Sequence, residues 1–232
     1  ATHSSAPHLG ESAVTKMLEY LAQLPDGVVI MEIDGGQSTN TVPAHAFLEI
    51  ETAIVKDAMA GRIRGVHRAI QALEAEFRDY EDAEFMPPHP TLNLGVVRTQ
   101  ETGVILSGSC RIPPNISHAV YEKWMEDLRV SCENLKGSFR VLDYKKPFRT
   151  PEQSILLKGC RDELRNMGLP DLPTTQASTN EASLFHRLDV DCLCFGAGVR
   201  ENNSHTPNES VKLEDLQKAM QFYHRVIERF CL

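Results

Sequence analysis

Apolar residues recur every three or four positions in four stretches of this chain, a spacing that places them on one face of an α-helix. The first stretch covers residues 12–24, the second covers residues 66–77, and the third includes Trp124. The fourth and longest has its apolar positions at Leu213, Leu216, Met220, Tyr223, Ile227 and Phe230. We predict an amphipathic helix in each stretch, and further helices over residues 152–167 and 180–186.

Short apolar runs between these helices predict strands, because each run is bounded by turn-forming residues. In the first part of the chain the runs cover residues 28–33, 41–51, 92–97, 104–110 and 139–144. Glu101-Thr102-Gly103 joins the third run to the fourth and indicates a hairpin. The order of elements predicts an α+β domain over residues 1–146: an antiparallel sheet with helices on one face, in a ferredoxin-like arrangement.

The second part, residues 147–232, alternates predicted helices with only two short predicted strands, at 174–177 and 191–195. This alternation is typical of an α/β layer structure. Two strands do not form a stable sheet by themselves. Either the sheet takes further strands from polypeptide outside this sequence, or the number of strands is larger than the pattern indicates. We expect the chain to be a fragment of a longer polypeptide.

Composition and charge exclude several classes of protein. The 232 residues are 41% hydrophobic and carry a formal net charge of −8, which makes nucleic acid and anionic membranes unlikely partners. No apolar stretch approaches the length of a membrane span. Six cysteines are scattered among apolar neighbours, so we expect buried, reduced thiols and a cytoplasmic setting. Cys192 and Cys194 are expected to pack into the core of a strand layer.

The first candidate for chemistry is His205, which lies in a polar loop seven residues after the glycine turn Gly196-Ala197-Gly198. A loop histidine near exposed backbone amides can ligate a metal and face a substrate, although such a residue is more often a plain surface histidine. A catalytic zinc site needs about three protein ligands. Because the sequence offers only one such ligand, His205, either no metal binds or residues outside the sequence complete the site.

Three other polar residues have two interpretations each. Arg111 ends a predicted strand just before a proline pair, where it could bind a carboxylate through two parallel hydrogen bonds or simply face solvent. Asn40 lies in a turn, where asparagine often caps its own backbone. His3 is followed by Ser4 and Ser5, which could indicate a serine nucleophile but more often cap turns.

Several segments resemble the co-catalytic zinc peptidases and deacylases, the family of aminoacylase, acetylornithine deacetylase, succinyl-diaminopimelate desuccinylase, carboxypeptidase G-type enzymes and zinc dipeptidases. ATHSSAPHLGESAVTKML resembles the entry to their lid domain, and GGQSTNTVPAHAFLEIE resembles their glycine and asparagine turn. TTQASTNEASLF together with CFGAGVRENNSHTPNESVKLEDLQKAMQFY resembles their C-terminal end. The resemblance implies a lid, or dimerisation-type, domain over residues 1–146 and the C-terminal part of a catalytic domain over residues 147–232.

The resemblance implies a role for each candidate residue. His205 matches the final zinc ligand of the family, and His3 matches the lid histidine that stabilises the tetrahedral oxyanion, frequently from the partner subunit. Asn40 matches the lid asparagine near the substrate. Arg111 matches the arginine that binds the free carboxylate of the substrate. The loop lining the substrate cleft is matched by Gly196 and Gly198.

The chain also departs from the family pattern. In many members the asparagine turn leads directly into the strand that ends in arginine, whereas about forty residues intervene here before a second hairpin. This arrangement indicates an enlarged lid. Some dipeptidases, including those that cleave aminoacyl-histidine, also have expanded lids, with a Leu-Asn-Leu-Gly strand similar to residues 92–95.

The implied function is zinc-dependent hydrolysis of a dipeptide or an N-acyl amino acid with a free carboxylate, using two zinc ions. The base and the other zinc ligands of the family precede the lid, so we expect this chain alone to be inactive. A homodimer through the lid is also implied. The alternative is a non-catalytic α+β module that binds an amino acid or a partner chain, and a serine hydrolase using Ser4 or Ser5 is a third interpretation.

Overall fold

The computed structural model describes residues 7, 10–52, 58–198, 203–204 and 208–232. It divides into two compact units, Ala1–Tyr144 and Lys145–Leu232. His3 and His205 lie outside the described residues.

Unit 1 contains a four-stranded antiparallel sheet and three helices. The elements are α1 (Ala13–Gln23), β1 (Val28–Gly35), β2 (Ala46–Thr52), α2 (Ala58–Phe77), β3 (Thr91–Gln100), β4 (Gly103–Arg111) and α3 (His118–Asn134). The strand order is β2-β1-β3-β4, and every neighbouring pair is antiparallel. The predicted α+β class and the hairpin between β3 and β4 are therefore confirmed.

Helices α1 and α3 form where the apolar periodicity predicts them, whereas α2 begins at Ala58, eight residues before the predicted stretch 66–77. Helix α1 begins after Ser12, whose Oγ accepts a hydrogen bond from the backbone N–H of Thr15 at 3.2 Å and so satisfies one of the unpaired donors of the first turn. The residues that α1 buries are Val14, Met17, Leu18 and Leu21. They join one hydrophobic core shared with α2, α3 and the sheet.

Trp124 anchors α3 to that core. Its ring is fully buried, with centroids 4.8 Å from Phe77 and 5.2 Å from Tyr80. The indole N–H donates to Glu76 Oε1 at 2.9 Å, so the polar atom of this large side chain keeps a partner.

Unit 2 contains the helices α4 (Ile155–Asn166), α5 (Ala182–His186) and α6 (Leu213–Cys231). The expectation of strands at 139–144, in unit 1, and at 174–177 and 191–195 was wrong, because no described residue in these three segments forms a strand. The physical reason is pairing: an extended segment becomes a strand only when a neighbour accepts and donates its backbone hydrogen bonds. Among the described residues, no segment pairs in a strand ladder with residues 139–144, 174–177 or 191–195.

Two features hold α6 against the rest of unit 2. Arg229 on α6 donates to Asp162 Oδ2 and Glu163 Oε1 on α4, each at 3.0 Å. Gly159 on α4 permits close approach, because a Cβ there would lie 2.3 Å from Phe230 Cζ. Ala219 and Phe222 are the residues that α6 buries.

The apolar stripe predicted on α6 is largely exposed in the described part of unit 2. Leu213 is 77% exposed and Met220 is 68% exposed, and the other four positions of the stripe are also accessible. A stripe of this kind normally covers a core. In the described part of unit 2 every side chain of the stripe keeps at least 38% of its surface exposed. No helix in the described part of the chain combines the length and apolar character that crossing a membrane requires.

The cysteines follow the expectation only in part. All six thiols are free, with Cys132 and Cys160 buried. The expectation that Cys192 and Cys194 pack into the core of a strand was wrong, because residues 191–195 form no strand and Cys194 is exposed. Burial raises the pKa of the Cys110 thiol to about 12, against a smaller opposing effect of Arg111.

We expect Cys110 to resist alkylation in the folded chain, because only the thiolate reacts and at pH 8 about one Cys110 thiol in ten thousand would be ionised. Treatment with iodoacetamide followed by peptide mass spectrometry measures this. The exposed Cys194 and Cys231 are internal controls and should react first. Modification of Cys110 at the rate of Cys194, before unfolding, would contradict the prediction.

Candidate substrate-binding face

The turn that carries Asn40 is bound to the sheet by two polar side chains. Asn93 on β3 is 3% exposed, and its amide nitrogen donates to the carbonyl oxygens of Thr39 and Thr41 at 3.1 and 3.0 Å. Ser109 on β4 is paired with Asn93 and donates through its Oγ to the carbonyl oxygen of Thr39 at 2.9 Å. The backbone on both sides of Asn40 is therefore fixed.

Two glycines allow this turn to lie directly on β3. A Cβ on Gly95 would lie 2.4 Å from Thr39 Cα and 2.5 Å from the carbonyl oxygen of Ser38. Gly36 has a φ of +74°, and a Cβ there would lie 1.8 Å from the carbonyl oxygen of Gly95. These distances leave no room for a side chain, so glycine is required at both positions.

The side chain of Asn40 is exposed and held within its own turn. Its Oδ1 accepts a hydrogen bond from Ser38 Oγ at 2.5 Å. This bond uses the acceptor end of the amide. The NH₂ end is therefore the part of Asn40 suited to donate to a bound molecule.

Strand pairing puts Arg111 on the same face of the sheet as this turn. Arg111 is the last residue of β4 and pairs with Thr91, two residues before the Asn93–Ser109 pair. Because side chains alternate along a strand, Arg111 shares a face with Ser109, whereas the intervening Cys110 packs towards the helices. The arginine is half-buried next to the rigid Ile112-Pro113 segment.

The β3–β4 hairpin has an irregularity in register beside the Asn40 turn. The register between β3 and β4 shifts between Leu94 and Val96, which makes Gly95 the extra residue of a β-bulge. The shift lets Leu94 and Val97 both face the core although they are three residues apart. Asn93 and Arg111 lie on the face opposite the core by strand alternation, because their neighbours Leu92 and Cys110 pack against it.

Asn93, Ser109 and Gly95 were missed as positioning residues in the sequence analysis. One signal was available for Asn93, because an asparagine in the middle of the apolar run Leu92–Leu94 must find hydrogen-bond partners once buried. The identity of those partners depends on the fold of the 36–41 segment, which the sequence pattern does not give.

The two candidate glycines of unit 2 lie in an exposed turn after residue 195. A Cβ at Gly196 would meet nothing within 4 Å, so this position is open. Gly198 has a φ of +93°, and a Cβ there would lie 3.1 Å from Val211 Cγ2. The hydroxyl of Tyr223 on α6 donates to the carbonyl oxygen of Phe195 and fixes the chain entering the turn.

The predicted metal ligand His205 lies outside the described residues. Two described residues on either side of it in sequence, Asn203 and Ser210, are joined by two hydrogen bonds. Asn203 donates through Nδ2 to the carbonyl oxygen of Ser210 at 2.7 Å and accepts from the Ser210 N–H at 3.0 Å. Among the described residues, no three histidine, cysteine, aspartate or glutamate side chains are arranged to hold a metal ion. The described residues therefore do not fit a complete zinc site.

Comparison with known proteins gives matches of three kinds. Residues 1–60 match the family profile of the peptidase dimerisation domain. An acetylornithine deacetylase from Myxococcus xanthus is 23% identical over 222 residues, which cover 84% of this chain and 57% of that protein. A succinyl-diaminopimelate desuccinylase from Psychrobacter arcticus is 24% identical over 120 residues, which cover 50% of this chain and 27% of that protein.

A solved structure matches in fold. The crystal structure of aminoacylhistidine dipeptidase from Vibrio alginolyticus aligns with 98% of this chain and 55% of its own length, with a TM-score of 0.55 and 17% identity. The chain thus spans little more than half the length of this protein and of the acetylornithine deacetylase. These comparisons confirm the resemblance in the sequence motifs: residues 1–60 match the profile of a peptidase dimerisation domain, and the chain is similar to an acetylornithine deacetylase and a succinyl-diaminopimelate desuccinylase.

Proposed function

We propose that this chain is the lid and the C-terminal part of a zinc-dependent amidohydrolase that cleaves a dipeptide or an N-acyl amino acid with a free carboxylate. The observation that carries the proposal is the shared face of the sheet in unit 1. There the Asn40 turn is held by Asn93 and Ser109, and Arg111 lies on the same strand as Ser109.

In this proposal Arg111 binds the carboxylate of the substrate. A guanidinium donates two parallel hydrogen bonds to a carboxylate, and its partial burial next to a proline turn limits the geometries it can adopt. Asn40 donates its NH₂ group to a substrate carbonyl. Fixing both ends of a small substrate holds the scissile amide in one place. This positioning lowers the barrier of the reaction, because the reacting groups no longer have to find one another.

His3 is proposed to donate to the oxyanion that develops on the attacked carbonyl, a contribution commonly of about 3 kcal/mol to the barrier. Gly196 and Gly198 are proposed to line the substrate cleft with backbone rather than side chains, consistent with the open space at Gly196. His205 is proposed as one zinc ligand. The described residues do not complete a zinc site, so the remaining ligands and the base are proposed to come from polypeptide outside this sequence.

The exposed stripe on α6 supports the view that unit 2 is part of a larger domain. Six apolar side chains at helical spacing remain accessible in its described part. A stripe of this length is stabilising when the rest of a domain covers it. The match of residues 1–60 to a dimerisation domain supports a homodimer through unit 1, and the six free cysteines are consistent with a cytoplasmic protein.

Replacing His205 with alanine tests the proposed metal site in a protein that also includes the upstream polypeptide. We expect the variant to lose one of its two zinc ions, measured by elemental mass spectrometry, and at least about 100-fold of its hydrolytic rate. His224→Ala is a matched control, since His224 is exposed on α6 with its Nδ1 3.4 Å from Glu228 Oε2. It should keep both ions.

Two outcomes would contradict this assignment. A His205→Ala protein with full zinc content would show that the histidine is not a ligand. An extended wild-type protein that binds no zinc and hydrolyses no amide would instead favour the non-catalytic module.

A further inference from the structure

A second polar site of unit 1 lies beside the helices, and Asn93, which holds the Asn40 turn, is one of its lining residues. It is a cavity of about 290 Å³ between the N-terminal half of α1, the C-terminal half of α2 and the first residues of β3. Its titratable lining residues are Glu11, Lys16, Glu19, His67 and Glu74. None of them belongs to the proposed hydrolase machinery.

His67 of α2 is the most buried of the titratable residues that line the cavity. It is 4% exposed and lines the cavity. Burial lowers the pKa of its imidazole, against a smaller opposing effect of Glu19. At neutral pH the ring is therefore uncharged and offers one nitrogen that can accept a hydrogen bond.

The cavity carries an excess of negative charge. Glu11 is paired with Lys16, whose Nζ lies 2.5 Å from its Oε2. This leaves Glu19 on α1 and Glu74 on α2, neither of which forms an ion pair with another residue in the described part of the chain. Desolvation raises the pKa of the Glu74 carboxyl more than nearby Arg78 lowers it. Both residues remain open to solvent, so a ligand can reach them.

The arrangement does not suit a metal ion. Among the described residues, no three potential ligands are close enough to hold one cation together. Glu19 and Glu74 lie on different helices, and His67 lies two helical turns from Glu74 on the same face of α2. A single molecule that pairs with both carboxylates carries a positive charge at each of two ends.

We propose that this cavity binds a small aliphatic diamine, with one ammonium group on Glu19, the other on Glu74, and His67 accepting a hydrogen bond from one of them. Charge-assisted hydrogen bonds to two separate carboxylates favour a dication over a monoamine. The stem of four or so methylene groups packs on Ile70 and Leu92, which also line the cavity.

Calorimetric titration of the 232-residue chain with 1,4-diaminobutane tests this proposal. We expect saturable binding of one molecule per chain, weaker binding of 1-butylamine and none of 1,4-butanediol, which has the same length without charge. Glu19→Gln and Glu74→Gln should each weaken binding about tenfold, because each removes one charge-assisted contact. Both positions are exposed, so these isosteric changes leave the fold intact, which circular dichroism verifies.

Glu101→Gln, in the exposed turn between β3 and β4, removes the same charge elsewhere in unit 1 and should leave the affinity unchanged. The imidazole nitrogen signals of His67 should shift on titration in long-range ¹H–¹⁵N spectra. The proposal fails if no saturation is reached by about 10 mM diamine, a concentration corresponding to very weak affinity. It also fails if the butanediol binds equally well, or if all three glutamine variants bind alike. None of these outcomes depends on hydrolase activity.

Discussion

Gly95→Ala is expected to destabilise unit 1 and to displace the Asn40 turn. The new Cβ would lie 2.4 Å from Thr39 Cα and 2.5 Å from the carbonyl oxygen of Ser38. Both atoms are backbone and cannot rotate away, so the free energy of unfolding should fall by about 3 kcal/mol, the upper end of the range for an overpacked site. Denaturant unfolding followed by circular dichroism measures the change.

Gly61→Ala is the matched control for this experiment. Gly61 lies inside α2, and a Cβ there would meet nothing within 4 Å. Alanine is favoured over glycine in a helix by about 1 kcal/mol, so this variant should be slightly more stable than the wild-type chain. If the two variants shift the unfolding midpoint in the same direction, the turn is not packed against β3 in the way described.

The hydrophobic pattern predicts the helices and the hairpin well because local spacing decides those elements. Val14, Leu18 and Leu21 share one helical face whatever surrounds them, and Glu101-Thr102-Gly103 allows the chain to reverse. The pattern fails at residues 139–144, 174–177 and 191–195, where apolar runs form no strand. Strand formation needs a hydrogen-bonded neighbour, and the sequence of the strand itself does not state whether a neighbour exists.

In the candidate site, too, the sequence identifies single residues but does not predict how the fold brings them together. Asn40 and Arg111 were singled out one by one, from a turn and from a strand end. What brings them to one face is the pairing of Thr91 with Arg111 and of Asn93 with Ser109, together with the hydrogen bonds that Asn93 and Ser109 donate to the turn. A shift of one residue exchanges the two faces of a strand. Residue types along a single strand cannot reveal it without the partner strand.

The proposed carboxylate clamp makes Arg111→Met the most informative change for activity. In a protein that includes the upstream polypeptide, we expect kcat/KM for a dipeptide with a free carboxylate to fall about 10²–10³-fold, because a paired guanidinium would be lost from a partly desolvated position. Hydrolysis of the matching C-terminal amide should change little, so the preference for the free acid disappears. Arg111→Lys should retain part of that preference, since a lysine keeps the charge without the two parallel donors.

Arg98→Met is the control, because Arg98 is an exposed arginine of the same sheet whose 2.9 Å ion pair with Asp34 contributes little to stability in solvent. An Arg111→Met enzyme that still prefers the free acid as strongly as the Arg98→Met enzyme does would remove Arg111 from substrate recognition.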